Sequence, residues 1–212
     1  MACLLALAPS WSFAQTCATS CNLTGAVNDY WIGNATVAAG ATTINLGARR
    51  AGTGTAGNTI AIGDTLLVIQ MQDAVVNTTD STAYGANNAT GAGYTAVRQS
   101  GLYEFVRATN AIGAGGGNLT IASGLINAYN ITTSGNQTQP RFQVIRVPNC
   151  VSMTLSGTIS GAYWNGATGG VISLRAVDMA MGGATIDANN LGFRGGATDA
   201  HNGPVNLSLI HI

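Results

Sequence analysis

The sequence predicts an all-β protein, a β-rich N-terminal module leading into the first coils of a parallel β-helix-like solenoid, with a β-sandwich as the alternative. Three observations carry the prediction. Apolar residues alternate with polar ones at period two, or run unbroken for the length of a strand, as in TLLVIQM (65–71), YEFV (103–106) and FQVIRV (142–147). Gly, Asn, Asp and Ser punctuate these runs where turns are needed. After Cys150 the segments become short and closely spaced, with no helical pattern between them.

Along the module, strands are expected at 43–46, 59–62, 66–71, 102–106 and 142–147. The run at 66–71 is nearly continuous in apolar residues, the signature of a strand buried on both faces. The stretches 73–101 and 111–117 are dense in turn residues, and Tyr84 and Tyr94 mark the first as a packed excursion rather than a linker. Beyond Cys150, strands are expected at 151–155, 158–159, 171–174, 177–179 and 184–187. In a β-helix each would bury its apolar side chains against the next coil, with Gly or Asn at the corners. The same segments would also fit one sheet of a hairpin-built sandwich.

Composition narrows the function classes. The 212 residues are 46% hydrophobic and 8% charged, with formal net charge zero, which is the profile of a folding chain and not of a disordered one. Lysine is absent, and the eight arginines (Arg49, Arg50, Arg98, Arg107, Arg141, Arg146, Arg175, Arg194) are scattered. No basic patch exists to neutralise phosphates, so no nucleic-acid partner is expected. Schiff-base chemistry lacks its amine.

The first residues read as an export signal. An apolar run from Ala2 is followed by Ser12 and Ala14, small residues at the positions a signal peptidase inspects, although no positive charge precedes the run. The expected organisation is a signal peptide over 1–14, the β-rich module over 15–149 and a truncated solenoid-like segment over 150–206. The last six residues, 207–212 (LSLIHI), match one reading frame of the transposon-end adapter used in preparing sequencing libraries. They are expected to be adapter-encoded, with the native chain continuing past Asn206. No later stretch has the apolar length of a membrane helix, so no membrane span is expected. The expected location is secreted or at the cell surface.

Cys3 would leave with the signal, and Cys17, Cys21 and Cys150 remain as disulfide candidates. The pairing of Cys21 with Cys150 is preferred because closing a long loop removes more entropy from the unfolded chain. One thiol is then left over.

Five segments together, 63–72 (GDTLLVIQMQ), 101–106 (GLYEFV), 142–148 (FQVIRVP), 164–170 (WNGATGG) and 191–196 (LGFRGG), resemble an uncharacterised family. Its members are regions near the N-termini of large secreted bacterial proteins, often followed by repetitive adhesin-like or anchor domains. The resemblance covers roughly 64–196. It implies an extracellular surface protein and a β-solenoid-like fold. That family has no established catalytic residues to carry over.

Motifs that would carry chemistry fail their context. The G-x-G-x-x-G match at 52–57 is followed by a strand pattern where a dinucleotide site requires a helix. Among the carboxylates Asp64, Asp73, Asp80, Glu104, Asp178 and Asp187, turn chemistry or a solvated strand face explains each. Asp178 and Asp187 with Arg175 form the one grouping that resembles the acid and arginine clusters of carbohydrate-cleaving β-helices. His201 has no second natural histidine or nucleophile elbow to work with. Asp73, Asn77 and Asp80 place three oxygen ligands in one loop, as calcium favours, without the glycine and glutamate of an EF-hand.

The expectation is therefore a non-enzymatic, adhesin-like structural protein with no catalytic residue and no cofactor. Surface carbohydrate or a host or cell-surface protein would be met through domains beyond this chain. A β-helix polysaccharide-active enzyme fragment and a calcium-stabilised binding module are the alternatives.

Overall fold

A computed structural model describes residues 18–50, 59–76, 94–132 and 140–193. These residues are all-β, without a helix. The strands are β1 (Ala18–Ala26), β2 (Asp29–Gly33), β3 (Thr43–Arg49), β4 (Thr65–Gln72), β5 (Val75–Val76), β6 (Tyr94–Ala96), β7 (Tyr103–Arg107), β8 (Gly117–Thr120), β9 (Arg141–Val147), β10 (Asn149–Ser160), β11 (Arg175–Ala180) and β12 (Thr185–Ile186).

Six of them form an antiparallel sheet in the order β7-β4-β9-β2-β3-β8. The sheet curls until its two edges meet. Ala108, just after β7, bridges Ile121, just after β8. Thr109 N–H donates to Thr120 O at 2.9 Å and Ala122 N–H to Arg107 O at 3.0 Å. Closure removes the exposed strand edges that an open sheet would present. Inside the curl lies the main core, built on Trp31, Ile44, Leu66, Val68, Leu119, Tyr129, Phe142 and Val144. Gly33 makes this packing possible, because a Cβ there would lie 2.1 Å from the Phe142 ring.

β4 reads as apolar on both faces because both faces are covered. Leu66 and Val68 point into the curl, while Leu67 packs outside it with Tyr30, Ile145, Val147 and Ala162. Residues 161–174 cover that outer face. The strand expected over 171–174 is absent, and the reason is visible in its hydrogen bonds. Side chains take the backbone groups that a neighbouring strand would take: Asn28 holds both the N–H and the C=O of Ser173, and the Tyr30 hydroxyl donates to Val171 O at 2.6 Å. Likewise 59–62 is no strand but a single bridge, Ile60 to Ile112, ahead of a turn in which Ala61 N–H donates to Asp64 Oδ2.

The second sheet is parallel, with β10 between β1 on one side and β11 and β12 on the other. The expected short strands at 151–155 and 158–159 are one strand, β10, with Gly157 at φ +63° inside it. Each partner on β11 lies 26 residues beyond its mate on β10: Asn149 with Arg175, Met153 with Met179, Thr154 with Ala180. On β12 the offset is 27, Ile159 with Ile186. Leu23, Val27, Cys150, Met153, Leu155 and Ile159 form the core beneath. β1 belongs to this sheet although it lies within 15–149, so the chain crosses between the two sheets at Val27 and Asn28. Cys21 and Cys150 are disulfide-bonded, tying β1 to β10. Cys3 and Cys17, the signal-like 1–14, and 194–212 lie outside the described residues.

Tyr30 joins the curled sheet to the segment that covers its outer face, and its titration reports on the joint. It is fully buried, donates to Val171 O and accepts from Ala162 N–H. Burial pushes its phenol up to about 12, and burial likewise holds Tyr129 above the usual tyrosine range. The unfolded chain would ionise both near pH ~10 while the folded chain keeps them neutral. Stability should therefore be whole below pH ~10 and fall as pH climbs through about 12, by up to ~1.4 kcal/mol per pH unit for each tyrosine. Urea unfolding at pH 9, 10, 11 and 12 measures this. Tyr30→Phe should start lower, having lost two hydrogen bonds, and fall less steeply; a slope equal to that of the parent would refute the assignment.

Candidate functional site

Paired or converging carboxylates are what hydrolytic or metal chemistry would need. Asp64 accepts from Ala61 N–H and forms an ion pair with Arg146, Nε to Oδ2 at 2.6 Å, fastening the turn before β4 to β9. Asp29 pairs with Arg49 at 2.7 Å. Glu104 points into the curl, where its oxygens accept from Ile126 N–H, Asn127 N–H and the Tyr129 hydroxyl at 2.9, 3.0 and 3.1 Å. It acts as the anchor of the loop that closes one end of the core.

Asp73 is buried. Its Oδ2 accepts from Gln99 N–H at 3.2 Å and Asn130 Nδ2 at 2.8 Å, and its Oδ1 lies 3.9 Å from the Arg98 guanidinium. These neighbours are donors and a cation, where a calcium ion would need further oxygens. Asn77 and Asp80 lie outside the described residues. Among the described residues no group of three or more His, Cys, Asp or Glu side chains could hold a metal ion.

The grouping of Arg175, Asp178 and Asp187 does not close into a charged cluster. Arg175 and Asp178 are exposed on β11, where Asp178 stands opposite Ser152 of β10. Asp187 follows β12 and spends Oδ1 on the N–H of Asn189, a turn bond at 2.9 Å. No ion pair links the arginine to either carboxylate among the described residues.

What the sequence reading missed is a set of buried amides. Gln143 is fully buried and pairs with Gly169 in both directions, Nε2 to O and N–H to Oε1, each 2.8 Å. Gln70 pairs in the same way with Asn130, at 2.9 and 2.8 Å, and Asn28 with Ser173, at 2.8 and 2.9 Å. Each amide presents a donor and an acceptor side by side, as a peptide does, and so pairs with a loop as a neighbouring strand would. The signal was a polar amide inside an otherwise apolar run, Gln70 in LLVIQM and Gln143 in FQVIRV.

Two hollows remain. One, of about 220 Å³, lies between the sheets among Leu23, Val27, Pro148, Cys150 and the Asp64–Arg146 pair. The other is an open apolar groove of about 520 Å³ beyond β11 and β12, lined by Ile172, Leu174, Met179, Ile186 and Leu191. Among the described residues its walls carry no titratable side chain. Its described lining suits apolar groups.

No family profile and no curated sequence matches the chain. Among solved structures, the crystal structure of the Pseudomonas phage phi297 tailspike gp61 is a distant neighbour, 13% identical, with a TM-score of 0.31 over 76% of this chain. The match spans 22% of that tailspike chain. Among the described residues no helix is long and apolar enough to cross a membrane.

Proposed function

We propose that the chain is a non-enzymatic structural module of an exported surface protein. On this reading the curled sheet is a base, and the parallel strands are the first coils of a β-solenoid that carries binding domains outward. The observation that supports it best is the constant 26- to 27-residue offset, which recurs at three places around the turn: β10 with β11, β10 with β12, and Trp164 N–H with Leu191 O at 2.7 Å. A repeat of that kind places each coil directly on the one before, so stability comes from neighbours alone and length can be added without redesign. The dispersal of the carboxylates supports a scaffold over a hydrolase. Secretion or surface display follows from the signal-like N-terminus and agrees with a disulfide-bonded chain.

The test is surface labelling. Intact producing cells, or their culture fluid, should react with an antibody to the folded 18–193 region, and labelling that requires lysis would overturn the reading. The same material incubated with a panel of polysaccharides should release no reducing ends. Release that Asp178→Asn or Asp187→Asn abolishes would make the protein a carbohydrase instead.

A further inference from the structure

The smaller hollow, of about 220 Å³, has two unlike walls. One is apolar, made by Leu23, Val27, Val147, Pro148 and the Cys21–Cys150 bridge. The other carries Asp64, Thr65, Arg146 and Asn149, and its hydrogen-bonding capacity is only partly spent. Asp64 uses Oδ2 for both Ala61 N–H and Arg146 Nε. Among the described residues its Oδ1 and the two terminal nitrogens of the Arg146 guanidinium take part in no hydrogen bond. The Arg146 and Asp64 side chains are 28% and 20% exposed, so they are held in place and still within reach. The Thr65 hydroxyl accepts from Asn149 Nδ2 at 3.1 Å and keeps its proton to donate. Asp29 stands opposite Arg146 across the sheet, and Arg49 already matches its charge at 2.7 Å. The polar wall is therefore neutral in sum, with acceptor beside donor.

We propose that this hollow binds one neutral pyranose ring, a terminal or branching sugar of a glycan. A carboxylate only accepts and a guanidinium only donates, whereas each sugar hydroxyl does both. Neighbouring hydroxyls can therefore donate to Asp64 Oδ1 and accept from Arg146, with the Thr65 hydroxyl as a further partner. The C–H face of the ring matches the apolar wall. A free anion would meet Asp64 and a free cation would meet Arg146, so charge favours neither. The volume falls below the ~300–1,000 Å³ of pockets that enclose drug-sized ligands, which suits a single ring. A peptide strand would present the same donor and acceptor, but it runs on at both ends, and this hollow lies between the two sheets. The inference goes beyond the scaffold reading, which places binding in other domains, and it does not rest on the solenoid.

Protein-observed NMR of the full, oxidised chain decides it. The probes are the methyl pyranosides of glucose, galactose, mannose and N-acetylglucosamine. At least one of them should shift the Arg146 Nε–H and the backbone amides within 63–65 and 146–150, at roughly millimolar strength. If none does, the proposal is wrong. Sodium acetate or N-methylacetamide shifting the same signals as strongly would assign the wall to an anion or to a peptide, and would overturn it equally. Arg146→Lys keeps a cation beside Asp64 but loses the planar fork, and should weaken the sugar by about fivefold or more. Thr65→Val, close in shape but without the hydroxyl, should weaken it by about threefold or more. Arg175→Lys, on β11 and away from the hollow, should bind as the parent does. Both hollow variants binding like the parent, at the parent's melting temperature, would refute the site. Failure on any of these counts leaves the scaffold and solenoid readings standing, because neither uses this hollow.

Discussion

Gln143→Ala is expected to destabilise the protein by about 2–4 kcal/mol, more than any surface change in the chain. The amide is buried at the seam between the curled sheet and the 161–174 segment, where it satisfies both the N–H and the C=O of Gly169. Truncation leaves two buried peptide groups without partners, at about 1–3 kcal/mol each, less whatever a water regains by entering the space. For a chain of this size a loss of that order lowers the melting temperature by roughly 4–16 °C. Gln143→Glu tests the mechanism and not only the volume. A carboxylate still accepts from Gly169 N–H but turns an oxygen toward Gly169 O, so it should be at least as damaging as alanine despite its equal size. Urea unfolding of the three proteins settles the order. A loss under about 0.5 kcal/mol for Gln143→Ala would mean that the segment is held by its apolar contacts alone.

The pattern of Gln143 also explains which parts of the fold the sequence discloses. Period-two alternation reports a strand that has one buried face, and β7 was legible on that basis, whereas β9 alternates in sequence yet is covered on both faces, Phe142 and Val144 inside the curl and Gln143, Ile145 and Val147 outside it. The unbroken run in β4 was legible as a strand covered on both sides, because Leu66 and Val68 serve one core and Leu67 another. β1 escaped notice because ATSCNLTGA (18–26) has little apolar content, and β2 because DYWIG (29–33) is too short to show a period. β8 hides at the end of a glycine run that reads as a turn. The converse error at 171–174 has the same root: VISL has the composition of a strand, yet Asn28 and Tyr30, more than 140 residues away in sequence, satisfy its backbone. Local pattern tells where apolar side chains go; it does not tell who pairs with the backbone. The candidate site was legible in the same partial way. That Asp64 and Asp187 belong to turns could be read from their neighbours. That Glu104 anchors a loop at 126–129 could not, since the contact depends on how the sheet curls.

Removing the Cys21–Cys150 bridge should cost about 4–5 kcal/mol against global unfolding. The bridge closes a loop with a sequence separation of 129, and in the chain-entropy account the constraint on the unfolded chain grows with the logarithm of loop length. Cys21→Ser with Cys150→Ser avoids reagents and leaves two small side chains where the sulfurs stood. The effect on the native state should be local. Among the described residues β1 pairs with β10 alone, and of its described side chains Leu23 is the one buried in the core beneath. The chain is held again immediately afterwards, at Val27, Asn28 and Asp29, all of them buried. Without the bridge β1 can lift from β10 while β2 stays in the curled sheet, so hydrogen exchange should rise over 18–26 and stay slow over 141–147. In a background with Trp11→Phe and Trp164→Phe, emission should hardly change, because Trp31 lies in the curled sheet's own core, on the far side of that anchor. A double serine variant whose urea midpoint shifts by less than the equivalent of about 1 kcal/mol would show that the unfolded chain is already compact across this span, leaving the bridge little entropy to remove.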